Sequence, residues 1–113
     1  MGLSIAELQK VSHEIAVSKG WHEEPRTFGD FIALIHSEAS EALEAFRTRG
    51  LEVWEEVDAD GNIKPEGVAI ELADILIRVA DFAAYLGLDL EQAVLKKQSY
   101  NEVRPYRHGG KGL

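Results

Sequence analysis

The stretch Val68-Ala69-Ile70-Glu71-Leu72-Ala73-Asp74-Ile75-Leu76-Ile77-Arg78-Val79-Ala80 decides the fold. It reads as one helix, with Pro65 suited to its first turn and Gly87 stopping it after about Leu86. Val68, Ala69, Ile70, Leu72, Ala73, Ile75, Leu76, Ile77, Val79 and Ala80 leave it without a clear polar face. A helix of that kind is buried, either centrally or against another subunit.

Working outward, Leu51, Val53 and Val57 alternate with charge, and Asp60-Gly61 is a hairpin-type turn signal, so residues 51–65 read as a loop or small hairpin. Upstream, Phe28, Phe31, Ile32, Ile35, Ala42, Leu43 and Phe46 recur at three and four. They predict a helix from Thr27–Asp30 to about Arg49, where Gly50 supplies a left-handed stop. An earlier helix opens at Ser4 with Glu7 as its capping-box partner, carries Ile5, Leu8, Val11 and Ile15, and ends at Gly20. Downstream, Asp89 caps a fourth helix, with Gln92 at the capping-box position, running to roughly Glu102. The expectation is an all-α single domain over residues 1–113, with residues 104–113 as a Gly-rich basic tail.

Composition narrows the function. At 113 residues the chain suits one core, and a domain this small buries only roughly two-thirds of its unfolded surface, which favours an oligomer. Twelve Lys and Arg against 20 Asp and Glu leave a net charge of −8. That balance argues against nucleic-acid and membrane-surface partners, which need basic patches, and suits a protein that concentrates divalent cations. With no cysteine, disulfides and thiolate metal sites are excluded. No signal-peptide pattern and no bilayer-length apolar run is visible, so a cytoplasmic location is expected.

Acid pairs three apart occur at Glu38/Glu41, Glu41/Glu44, Glu52/Glu55, Glu55/Asp58 and Glu71/Asp74. Glu52, Glu55 and Asp58 lie in the polar connection and are assigned to solvent. Glu38/Glu41 and Glu71/Asp74 stand inside the two most hydrophobic helices, where like charges repel and an unpaired buried carboxylate costs several kcal/mol. Something must neutralise them. Two such helices packed together put four carboxylates around one cavity, and oxygen-only ligands suit Mg2+ or Mn2+. The plainer reading is that Arg78 or a lysine pairs with the acids. A di-iron centre would need Glu-x-x-His, which does not occur, and His13, His22, His36 and His108 are not at ligand spacing. The Glu56-Val57-Asp58-Ala59-Asp60-Gly61 stretch is similar to a calcium loop, but Gly67 stands where the closing Glu belongs, with Glu66 one residue short, so it reads as a turn.

Glu38-x-x-Glu41 followed by Glu71-x-x-Asp74 resembles the signature of the MazG-like all-α nucleoside triphosphate pyrophosphohydrolases. His36-Ser37-Glu38-Ala39-Ser40-Glu41-Ala42-Leu43-Glu44-Ala45 looks like that family's first motif, and Lys64-Pro65-Glu66-Gly67 leading into Glu71-Leu72-Ala73-Asp74-Ile75 like its second. Lys97-x-x-x-Asn101-x-x-Arg104-Pro105 is similar to a third element that ends the fourth helix, and His108-Gly109-Gly110-Lys111 matches short members. The likeness runs from Trp21 onward, with a slightly long interval between Glu41 and Glu71.

The resemblance implies a four-helix bundle, a homodimer or homotetramer, and hydrolysis of a (deoxy)nucleoside triphosphate to monophosphate and pyrophosphate. Mg2+, with Mn2+ substituting, would sit on Glu38, Glu41, Glu71 and Asp74, with Glu38, Glu41 or Glu44 as general base. Lys97, Asn101, Arg104 and Lys111 would contact phosphate or sugar, and Trp21 and His36 the base. Narrower substrates (dUTP or dCTP, (d)GTP, phosphoribosyl-ATP) remain open, as does a non-catalytic helical module that binds nucleotide or a partner protein.

Overall fold

Three of the four helices begin where a short polar side chain can satisfy an orphan backbone donor. The computed structural model describes residues 3–105, in the order α1 (Ile5–Ser18), α2 (Phe28–Arg49), β1 (Trp54–Val57), β2 (Ile63–Glu66), α3 (Val68–Tyr85) and α4 (Leu90–Val103). Ser4 Oγ accepts from the Glu7 amide at 3.0 Å, and Asp89 Oδ1 accepts from the Gln92 amide at 3.1 Å. At α2 the box is reciprocal: Thr27 Oγ1 accepts from the Asp30 amide at 3.1 Å, while the Thr27 amide donates to Asp30 Oδ2 at 2.9 Å. Those bonds, from the Thr27 backbone first and its hydroxyl second, hold the Asp30 carboxyl below the usual range.

The hairpin expected within 51–65 is present and extends one residue further than anticipated. β1 and β2 pair antiparallel with Trp54 opposite Glu66 and Glu55 opposite Pro65. Asp58 Oδ1 accepts from the amides of Asp60 and Asn62, each at 2.9 Å, which closes the turn. Pro65 therefore belongs to β2, and α3 starts three residues later. In a two-stranded ribbon Pro65 sits on an edge strand, where its missing N–H is tolerated. The switch from strand to helix falls on Gly67, at φ 129° and with its Cα turned so that a Cβ would lie 2.5 Å from the Glu52 carbonyl oxygen. Only glycine fits that junction.

α3 is central. It packs against α1 and α2, and β2 meets it at its start, while α4 lies more lightly across α1 and α3. The core is small. Phe31 of α2 stacks on Phe82 of α3 at 4.3 Å, and Tyr85 meets Phe31 edge-on at 5.4 Å. Ala80 and Ala83 are buried beside them. Gln9 ties α4 to α1, donating to the Leu88 carbonyl at 2.8 Å and accepting from the Leu90 amide at 3.1 Å.

The expected burial of α3 holds for part of its surface. Leu72, Leu76 and Ile77 are exposed, as are Phe28, Ile32, Leu43 and Phe46 of the apolar α2 series. The Cα radius of gyration is 16.8 Å, against ~13 Å for a close-packed chain of this length. No helix among the described residues is long and apolar enough to cross a membrane.

Candidate metal centre

Glu71, Asp74, Arg78 and Asp81 follow one another along α3 at intervals of three, four and three. That spacing places them in one stripe, and the stripe faces the other helices. At its first end, Glu71 and Asp74 meet Glu38 of α2. One carboxylate oxygen from each of Glu38, Glu71 and Asp74 lies within 4.8 Å of the others. Glu38 is 8% exposed and Glu71 is 9% exposed.

Arg78 neutralises part of this charge, donating from Nε to Glu38 Oε1 at 3.0 Å. The ion-pair reading of the sequence is therefore correct for one acid. It does not extend to the cluster, because Glu38 Oε2 and Glu71 Oε2 are buried with no hydrogen-bond partner. Burial first, then the charges of Glu41 and Asp74, push the Glu71 carboxyl up to about 7. Burial and the charge of Glu38 also raise Asp74, against the pull of Arg78. Glu66 and Lys64, bridged at 2.9 Å at the end of the hairpin, add one more acid and one more base to this neighbourhood. Acids still outnumber bases. Buried carboxylates in surplus, two with an orphaned oxygen, fit a hard divalent cation held by oxygen ligands.

Three of the four expected acids thus converge within ligand distance of one another. Glu41 is exposed and stands outside the convergent set, close enough to Glu71 to act on its charge. On α2, Glu38 and Glu41 are neighbours on one face; Glu38 is buried against α3, and Glu41 meets Glu71 from the exposed side.

Glu38, Asp74, Arg78 and Asp81 line a cavity of about 410 Å³, walled on the α1 side by apolar residues such as Leu8, Val11 and Ile15. Trp21 is on its wall, as a base-stacking role requires. However, the Arg78 guanidinium lies 4.3 Å from the centre of the Trp21 ring, and that of Arg26 lies 5.1 Å from it. The indole is thus already engaged by cations. His36 is exposed and is not on the cavity wall.

Lys97, Asn101 and Arg104 gather at the far end of α4 instead of at the acids. Arg104 donates to Asn101 Oδ1 at 3.4 Å, and Lys97 Nζ lies 4.8 Å from the Tyr100 ring centre. None of the three lines the cavity, so the structure does not bring them to the carboxylates within one chain. The reason is α4 itself, which buries no residue and has no strong apolar side to draw it onto α3. Lys111 lies outside the described residues. Glu52, Glu55 and Asp58 are solvent-exposed, as anticipated.

At the other end of the stripe the structure assembles a group that sequence spacing hides. Asp81 Oδ1 accepts from His13 Nδ1 at 2.9 Å and from His22 Nε2 at 2.9 Å, and Oδ2 lies 3.0 Å from the same His22 nitrogen. His22 stacks on Tyr85 at 4.4 Å. His13 leaves from α1, whereas His22 sits in the turn after it, so eight residues of chain lie between two rings that meet at one carboxylate. The sequence signal was Asp81, an isolated acid within Val79-Ala80-Asp81-Phe82-Ala83.

Fold and site together define a helical protein with an under-neutralised carboxylate cluster on the wall of a cavity. Comparison with family models, with curated proteins and with solved structures finds no match to the chain.

Proposed function

We propose that the protein is a Mg2+-dependent nucleoside triphosphate pyrophosphohydrolase of the MazG-like type. On this reading it is a cytoplasmic homodimer or homotetramer that cleaves between the α and β phosphates. The observation that carries this reading is the convergence of Glu38, Glu71 and Asp74 with two buried carboxylate oxygens left unpartnered. It accords with the order of the Glu38-x-x-Glu41 and Glu71-x-x-Asp74 motifs along the chain.

Mg2+ bound there would offset charge on the triphosphate and supply Lewis acidity. Glu38, Glu71 and Asp74 are the residues to hold it. Glu41, exposed beside Glu71, is the acid proposed to accept a proton from the attacking water. Arg78, fixed between Glu38 and Trp21, is the cation on the cavity wall available to a phosphate oxygen. A cavity of about 410 Å³ with an apolar wall is of a size to take a nucleoside.

Self-association is supported by the exposed Leu72, Leu76, Phe28 and Phe46 and by the open shape of the single chain. Lys97, Asn101 and Arg104 then have a phosphate-binding role only if one subunit supplies them to another.

The test is product analysis on a panel of ribo- and deoxyribonucleoside triphosphates, with Mg2+ and then with EDTA. Metal-dependent release of monophosphate and pyrophosphate is the expected result, and the fastest substrate identifies the base. Release of inorganic phosphate alone would overturn α–β cleavage. Absence of turnover on every nucleotide would replace the enzyme by a binding module.

A further inference from the structure

The geometry points to a second metal site, distinct in chemistry from the carboxylate cluster, formed by His13 Nδ1, His22 Nε2 and the Asp81 carboxylate. Its ligand is a divalent first-row transition ion of the Mn2+ to Zn2+ series. The inference does not depend on the nucleotide reading, because none of its three residues belongs to the acid cluster.

The donor atoms converge. One atom from each of the three residues lies within 4.8 Å of the other two, and each histidine nitrogen is 2.9 Å from Asp81 Oδ1. Two ligand atoms 2.9 Å apart, each ~2.1 Å from a shared ion, subtend about 90° at it. That is the angle between adjacent ligands of an octahedron, and two histidines with one carboxylate on a single face is a known arrangement for divalent transition ions. Two imidazole nitrogens also disfavour Mg2+ and Ca2+, which prefer oxygen.

The surroundings fix the ligands in place. Asp81 is buried, and the His22 side chain is 9% exposed with its ring held flat against Tyr85. Asp81 is on the cavity wall, so an ion at this site adjoins the space that the acid cluster also borders. Without metal, a carboxylate can only accept, so His13 carries its proton on Nδ1 and His22 on Nε2. Metal requires those two nitrogens as lone-pair donors. Each metal-bound ring then carries its proton on its other nitrogen.

That tautomer change gives a direct test on the native full-length chain. Zn2+ is titrated into 15N-labelled protein in excess Mg2+, and the imidazole nitrogens are followed by long-range 1H–15N spectra. The expected result is saturation at one equivalent, with the proton moving from Nδ1 to Nε2 in His13 and from Nε2 to Nδ1 in His22. Rings that keep their metal-free tautomers at saturating Zn2+ would overturn the site, and this reading needs no variant to fold. In parallel, Zn2+ affinity is measured by calorimetry on His22→Ala, His13→Ala and Glu71→Gln. Either histidine variant should weaken binding by at least roughly tenfold, the lower end of what loss of even an outer-sphere partner costs. Glu71→Gln should leave it unchanged. Unchanged affinity in both folded histidine variants, or loss confined to Glu71→Gln, would assign the ion to the acid cluster and refute the proposal.

Discussion

Glu71 and Asp81 are both buried acids on the same stripe of α3, ~15 Å apart along the helix axis. They differ in what meets them. Asp81 accepts from two histidine rings and has a contact for each oxygen, so its burial is offset locally by neutral or cationic donors. Glu71 meets Glu41 and Asp74, has an oxygen with no partner, and is pushed toward its protonated form. One end of the stripe is internally satisfied. The other holds more acid than base, with two buried carboxylate oxygens unpartnered, which is why the cation is proposed there first.

The largest expected effect separates these ends by activity. Glu71→Gln should reduce Mg2+-dependent pyrophosphate release by at least about 10²–10³-fold, the scale of losing a principal electrostatic element, while circular dichroism shows an intact helical fold. Wild-type turnover from a folded Glu71→Gln would remove Glu71 from the site. The junction leading into the acid end should be nearly as sensitive in stability. Gly67→Ala should cost about 3 kcal/mol or more in urea unfolding, because its Cβ would lie 2.5 Å from the Glu52 carbonyl at a positive φ.

Stability should move in opposite directions at the two ends. Asp81→Ala strands His13 and His22 and should cost roughly 2–3 kcal/mol, read by the same unfolding curves. In metal-free protein at pH 8, Glu71→Gln should be stabilising, on the order of 1–3 kcal/mol, because it removes a strained charge. The sign follows from the raised carboxyl, about 7 in the fold against an ordinary 4.5. The protonated form is favoured in the folded state, so its stabilisation is full below pH 4.5 and is lost as pH rises through about 7. The advantage of Glu71→Gln over the native chain should therefore fade by pH 5. Saturating Mg2+ at pH 8 should shrink or reverse it, since bound metal stabilises the native carboxylate. Parallel unfolding curves for the two proteins across that pH range would contradict the raised carboxyl.

Much of this architecture was legible in residue order. The capping signals at Ser4, Thr27 and Asp89, the hairpin turn at Asp60-Gly61 and the stops at Gly50 and Gly87 lie close to where the structure has them. Glu38, Glu71 and Asp74 were marked as unusual because acids inside apolar helices must be paid for by a partner. Pro65 was misplaced because proline suits both a helix start and an edge strand, and only pairing with Glu55 chooses. Spacing of i,i+3 sets Glu38 and Glu41 side by side on a helix but does not say that the first is buried and the second exposed.

The sequence by itself determined the helices, their caps, the hairpin and the acid stripe of α3, since each follows from residues within a few positions of one another. Tertiary structure decided which side chains meet across elements. It set Glu38 against Glu71 and Asp74, left Glu41 at the rim, sent Lys97, Asn101 and Arg104 away from the cavity, and brought His13 and His22 onto Asp81. Those encounters depend on how α1 and α2 lie against α3 and on which rotamers fit between them. No local spacing encodes either quantity.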